Sequence, residues 1–362
     1  MSVSGTYAAA FRGSETTGGG PSSVRLRVFF PEYQSDQFST QFAFVCGLGT
    51  RAQGDYVFVR PGAMQELRER GQQFFERALR CEDADLVSYP HSYAPGLAVD
   101  RTMEVADRHQ LPCVFFSNAD RSPPTRLRYG VIFRESIFAS RQTSCELPQP
   151  AVVDDLLIGQ EFVIRDKHDI PVVGFRGFQG TGRHRELLRW LLLGTEASLG
   201  SYLRKKALRQ CGRSSKVQTR FELLRFGRIY ENRDQLRELY IRNIQESDYV
   251  LCIRGAGNFS FRLYETLCLG RIPVVPNTDL TLPLADRIDW PRHCVWIEPR
   301  DFGRIPDRIR EFHDSLSPDQ FRQLQRDNRA LWKTHLDAPV FWRQALGELV
   351  RRSTPATTGT HS

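Results

Sequence analysis

The sequence predicts an α/β protein built as two Rossmann-like domains facing across a cleft. Two observations carry this. Short apolar runs that read as strands alternate with amphipathic helical segments, the pattern of parallel sheets covered on both faces. The alternation is then interrupted by a proline-bearing stretch, LPQPAVVDDLLI, from Leu147 to Ile158, and restarts beyond it. A chain of 362 residues is long enough to bury a core in each half.

Residues 1–22 are rich in Gly, Ser and Thr and are expected to be a disordered tail. The first domain spans 23–150. It opens on a strand at Val24–Phe30, with another at Tyr56–Val59 ending at Arg60-Pro61. Ala63–Arg80 carries Leu67, Phe74, Phe75 and Leu79 at helical spacing among charges, which predicts one amphipathic helix. A short strand at Asp85–Ser88, a helix at Val99–His109, a buried strand at Pro112–Ser117 and a strand at Gly130–Phe133 complete it. Leu147–Ile158 is the candidate linker.

The second domain spans 151–335. A strand at Val172–Phe175 leads into a glycine-rich loop, Arg176–Gly182, and a long helix from about Arg185 to Leu208. A strand at Phe221–Leu224 and a helix at Gln235–Gln245 follow, with Leu236, Leu239 and Tyr240 facing in. The stretch from Tyr249 to Trp290 reads as strand (Tyr249–Ile253), glycine-bearing turn (Arg254–Asn258), helix (Ser260–Leu269) and strand (Ile272–Val275). A strand at Cys294–Ile297 and three helical segments between Pro306 and Arg351 end the fold. The last helix, 336–352, stands apart, and 353–362 reads as a second disordered tail.

Net charge is +8 and the pI about 9.2, which fits an acidic or phosphorylated partner. Lysine occurs only at positions 167, 205, 206, 216 and 333, so the basic residues are almost all arginine. Arginine presents a planar fork to phosphate; GC-rich codon usage explains the same bias without any ligand. The arginines are spread along the chain, acids accompany them and no nucleic-acid motif occurs, so no nucleic-acid partner is expected. The eight cysteines include no CxxC pair and several lie in apolar runs, which reads as buried thiols in a reducing compartment. With no run of 18 apolar residues and no signal-like N-terminus, the expectation is a cytoplasmic protein without a transmembrane segment, peripheral membrane association being compatible with its charge.

The chemistry concentrates between Arg254 and Trp290. With Ser260 as helix N-cap, Arg262 and Glu265 fall three apart on one helix face, beside a turn that carries Arg254 and Gly255. A glycine-rich turn feeding a helix start can hold an anion. The competing reading is an ordinary i,i+3 surface ion pair, worth roughly 0.2–0.5 kcal/mol. In the second loop, Arg176, Gly177, Gly180, Gly182, Arg183 and His184 fit a phosphate or a sugar at a strand end, or a plain glycine turn. Neither GxGxxG nor a GK[ST] follows, which removes a dinucleotide fingerprint and a P-loop.

Arg254-Gly255, Ser260-Phe261-Arg262-Leu263-Tyr264-Glu265, Gly270, Ile272-Pro273-Val274-Val275, Leu282-Pro283 and Ile288-Asp289-Trp290 together resemble the signature of the exostosin family. Weaker similarity extends backward through Pro171–Phe175, Leu147–Pro150 and Phe133–Ser136, so that the anchors span roughly residues 85–300. The resemblance implies the GT-B fold and a GT47-type glycosyltransferase that moves a sugar from a nucleoside-diphosphate donor to a glycan or other hydroxyl acceptor, with inversion. It implies donor binding by Arg176, Arg254, Gly255, Ser260, Phe261, Arg262 and Glu265, with Glu265 toward the ribose. The chain departs from the family at Ile253, often proline, and at Pro276-Asn277-Thr278, which separates the strand from Asp279.

An inverting transfer needs a base for the acceptor's proton. His91, Asp120, Asp100 and Glu135 are candidates from the first domain, with His91 and Asp120 leading because each follows an apolar run in a polar loop. Asp83-Ala84-Asp85 spells DxD but falls between a helix and a strand, where Asp is a capping residue, so no required metal or other cofactor is expected. The alternatives are a catalytically silent glycan-binding or scaffold module of the same fold and, less favoured, a basic nucleic-acid-binding protein.

Overall fold

The computed structural model describes residues 24–34, 39–49, 62–120, 125–179, 196–224 and 233–353. The expected strand Tyr56–Val59, the Gly180, Gly182, Arg183 and His184 part of the glycine loop, the start of the helix after it, and the tails 1–22 and 354–362 lie outside the described residues.

The first half runs β1 (Leu26–Phe29), α1 (Gln41–Val45), α2 (Ala63–Gly71), β2 (Phe75–Arg77), β3 (Leu86–Ser92), α3 (Leu97–Arg108), β4 (Cys113–Ser117), β5 (Val131–Arg134) and β6 (Glu146–Pro148). Its strands form a parallel sheet in the order β2-β1-β3-β4-β5-β6. Every residue of β4 and β5 is buried. Their near-continuous apolar runs, broken only by Ser117 and Arg134 at the carboxyl ends, are what a parallel strand covered on both faces requires.

The second half runs β7 (Val172–Phe178), α4 (Glu196–Arg213), β8 (Gln218–Leu224), α5 (Arg233–Gln245), β9 (Tyr249–Leu251), α6 (Phe261–Cys268), β10 (Ile272–Pro276), α7 (Trp290–His293) and β11 (Val295–Ile297), then α8 (Ile305–Asp314) and α9 (Pro318–Leu331). Its parallel sheet has the order β11-β10-β9-β7-β8. A core lies on each face, one around Leu263, Leu267 and Trp332, the other around Leu203, Tyr249 and Phe321. Both sheets wind second, first, third, fourth, fifth from one edge, so each reverses direction between its first and third strands. The two-domain α/β fold expected of the GT-B class is present.

The expected helix Ala63–Arg80 is shorter. It ends at Gly71, which packs so closely on α1 that a Cβ there would lie 2.0 Å from the Val45 Cγ1. Phe75 then becomes a fully buried strand residue, while Leu79 is 81% exposed. Leu147–Ile158, the candidate linker, joins the halves and is packed into both: Leu147 and Pro148 belong to β6, and Ala151, Val153, Leu156 and Leu157 are buried in the second half's core. The chain crosses back through a π-helical turn, Trp332–Leu336, into α10 (Ala338–Ser353). α10 lies against the first sheet, where Trp342 meets Phe42 and Phe116 at ring separations of 5.5 and 6.0 Å.

Candidate active site

Ligands of doubly wound sheets bind beyond the carboxyl ends of the strands, where the winding reverses. In the second half that point lies between β7 and β9. Arg176 is on the last part of β7 and Arg254 follows β9. Arg262, in the first turn of α6, donates from Nη2 to the Arg176 carbonyl at 2.8 Å and lies 4.4 Å above the Phe175 ring. It thus turns toward β7 instead of pairing with Glu265. Gly177 makes room for it: its φ is +145°, and a Cβ would stand 3.2 Å from the Arg262 Nη2.

A fourth arginine was not among the expected site residues. Arg204 of α4 donates to the carbonyls of Phe178 (2.9 Å) and Arg254 (3.0 Å), tying the ends of β7 and β9 together. Its guanidinium lies 6.0 Å from the same Phe175 ring. Burial, with the Arg262 charge adding to it, pushes Arg204 down to about 10. The Nε atoms of Arg176, Arg204 and Arg262 are buried without a hydrogen-bond partner among the described residues. The sequence does hold a signal for Arg204: Gly200, Leu203, Arg204, Ala207, Leu208 and Cys211 fall at helical spacing on one stripe, and only the arginine in it is charged.

One carboxylate, Glu222 of β8, pairs with Arg176. Glu265 points elsewhere, accepting from the Tyr240 hydroxyl, and burial raises its carboxyl above the usual range. Ser260 holds the N-cap position as expected, but its hydroxyl makes no capping bond. Arg254 is 4% exposed; it donates to Asn258 Oδ1 at 3.1 Å and lies over Phe138 of the first half at 5.1 Å. Phe261 is half-buried against Phe259, with ring centroids 5.2 Å apart.

The turn after β9 is also where the two halves meet. The Gly257 N–H donates to Asp120 Oδ1 at 3.1 Å, and the Asn258 N–H to Ser136 Oγ at 2.8 Å. Asn258 Nδ2 donates to the carbonyls of Ile137 and Asp279, both at 3.0 Å. Asp279, at φ +63°, accepts from the Ser140 N–H at 3.1 Å. Among the expected base candidates, Asp120 is therefore at the seam. His91 is buried in β3 between Tyr33 and Tyr89, accepting weakly from the Gln34 N–H at 3.4 Å. Asp100 lies in the first turn of α3. Glu135, just past β5, lines a small cavity at the seam with Arg254, Asn258 and Ser260. In the DxD sequence, Asp83 pairs with Arg80 at 2.9 Å and Asp85 accepts from the Arg27 N–H at 2.7 Å.

A larger depression of about 450 Å³ lies at the other end of the second sheet, beside Arg165, Arg220 and Glu246. Its arginines are already paired, Arg165 with Asp248 at 2.7 Å and Arg220 with Glu246. The ends of β7 and β9, where Arg204 and Arg262 are held by carbonyls and form no ion pair among the described residues, are the candidate ligand site despite the smaller cavity beside them.

Residues 180–312 match the family model of the Exostosin GT47 domain. This stretch is similar to an exostosin-type GT47 glycosyltransferase domain. The matched stretch holds α4, with Arg204, and the whole turn and helix from Arg254 to Glu265. Over 105 residues the chain is 30% identical to Exostosin-1 of Drosophila melanogaster, which is 29% of this chain and 13% of that protein. Over 70 residues it is 37% identical to probable glucuronosyltransferase 47 A of Physcomitrium patens, 19% of this chain and 15% of that protein. The matches thus span about one seventh of these relatives' own length. A glycosyltransferase structure from Rickettsia africae aligns over 86% of both chains at 10% identity and a TM-score of 0.40.

Proposed function

We propose that the protein transfers a sugar from a nucleoside-diphosphate sugar to a hydroxyl of a glycan or similar acceptor, with inversion at the anomeric carbon. The observation that carries this is the group of four arginines, Arg176, Arg204, Arg254 and Arg262, at the ends of β7 and β9, with Glu222 as the carboxylate paired to them. Withdrawing several guanidinium groups from water is costly unless anionic oxygens replace it. A diphosphate supplies them, and each charge-assisted hydrogen bond to it contributes about 1.5–3 kcal/mol. The same charges stabilise the diphosphate as it leaves.

In this reading Glu265 and Tyr240 form the wall toward the ribose, and the arginines do the work a divalent cation does elsewhere. The eight buried thiols support a cytoplasmic site of action. Among the described residues no helix is long and apolar enough to cross a membrane. The test is a thermal-shift screen with UDP-, GDP-, ADP- and CMP-linked sugars. A rise in melting temperature with one nucleotide class, lost in Arg262→Ala, supports the reading; no shift with any of them sinks it and favours a silent module.

A further inference from the structure

Glu135 presents a buried carboxyl that is paired with no side chain among the described residues. It is 4% exposed, and neither oxygen makes a hydrogen bond with a described residue, although the Val152 backbone N–H lies near enough to offset part of the effect of burial. A buried carboxyl left without a partner costs stability, so such a group needs an explanation. The cavity it lines is about 20 Å³, room for one water-sized group. The other polar walls come from the second half: Arg254, Asn258, Ser260 and Thr278.

The placement is chemically specific. Glu135 follows β5 of the first half, whereas the arginines that would hold the diphosphate belong to the second. Ser136, the next residue, is hydrogen-bonded to the Asn258 N–H, so the position of Glu135 against the donor turn is fixed by the seam itself. The idle hydroxyl of Ser260 lines the same cavity. A hydroxyl of the acceptor fits a space of this size.

We propose, resting on the function proposed above, that Glu135 is the catalytic base. In the step, the acceptor oxygen bonds to the anomeric carbon as the bond from that carbon to the phosphate oxygen breaks. The electron pair leaves with the diphosphate, toward the arginines, and the hydroxyl proton goes to the Glu135 carboxylate. Three charged or titratable groups face it: Asp120 beyond β4, whose charge raises it, and Tyr264 of α6 and Arg254 beyond β9, which line the same cavity. Burial and Asp120 together hold the carboxyl at about 8, within the range useful to a general base.

The experiment compares wild type, Glu135→Gln and Glu135→Asp using the nucleotide-sugar that shifts the melting temperature. Donor Kd is read by calorimetry. Turnover is read as nucleoside-diphosphate release with a panel of oligosaccharide acceptors, across about pH 5.5–9. The expected result is an unchanged Kd in Glu135→Gln with kcat lowered at least about 100-fold and the rising alkaline limb abolished, and partial recovery of rate and limb in Glu135→Asp. A Glu135→Gln enzyme within about tenfold of wild-type kcat, or one keeping the same limb, overturns the proposal. If wild type binds no donor, it is the parent reading that has failed.

Discussion

At the scale of single residues, two of the four site arginines are held in place by neutral partners. Arg262 is fixed by a carbonyl and an aromatic face, and Arg204 by carbonyls, and among the described residues neither forms an ion pair. Arg262→Ala is expected to weaken donor binding by about 10- to 100-fold, the loss of one charge-assisted contact, measured by calorimetry. If, as proposed, guanidinium groups do the work of a cation, transfer is expected to persist in excess EDTA; a loss restored by Mg²⁺ or Mn²⁺ would contradict this. Glu135 makes a separate stability prediction. Its carboxyl is raised from 4.5 to about 8 in the folded state. Its contribution is fully present below about 4.5 and is lost as pH rises through about 8, because the unfolded chain ionises first. Melting temperature should therefore decline across that window in wild type and decline less in Glu135→Gln.

At the scale of elements, the contact between α4 and the turn after β9 decides whether the arginines converge. Gly200 is what permits it: a Cβ there would lie 2.3 Å from the Gly255 carbonyl oxygen and 2.8 Å from that of Arg254. Alanine in a helix interior gains up to about 1 kcal/mol over glycine, but overpacking against backbone costs about 1–3 kcal/mol. Gly200→Ala is thus expected to lower the melting temperature and to raise the donor Kd as well, since Arg204 sits one turn further along. The sequence made the periodic elements and the Arg254–Glu265 block legible, because strand and helix spacing are local properties. The break at Gly71 was hidden, since Phe74, Phe75 and Leu79 continue the helical spacing and the contact that ends the helix comes from Val45. Arg204 was hidden for a related reason. Its acceptors lie 26 and 50 residues away, and only its place on an apolar stripe marked it. Glu135 could be read as one candidate base of four, but its lack of partners is a property of the packed seam alone.

At the scale of the whole molecule, two crossings join the halves. The first is anchored by Arg329 to Asp155 and Arg237 to Asp154, both at 2.8 Å. The second is anchored by Arg70 to Asp337 at 2.6 Å. Beyond the second crossing, α10 covers aromatic residues of the first sheet, with Phe341 6.1 Å from Phe133 and Trp342 against Phe42. Truncation after Leu336 should therefore cost several buried aromatic and aliphatic side chains, about 3–5 kcal/mol for each large one. The expected outcome is loss of the first half's near-UV circular dichroism and protease protection while the second half keeps both. Survival of the first half in such a truncation would show α10 to be an accessory.

The return of α10 also sets an order of events during synthesis. The second half is continuous in the chain, from Ala151 to Leu336, and can close its core as soon as those residues leave the ribosome. The first half emerges earlier yet stays incomplete, with Phe42, Phe116 and Phe133 uncovered, until Ala338–Ser353 arrives. The part of this protein made first is thus the part finished last, and for most of translation it is the half with exposed aromatic surface for a chaperone to hold.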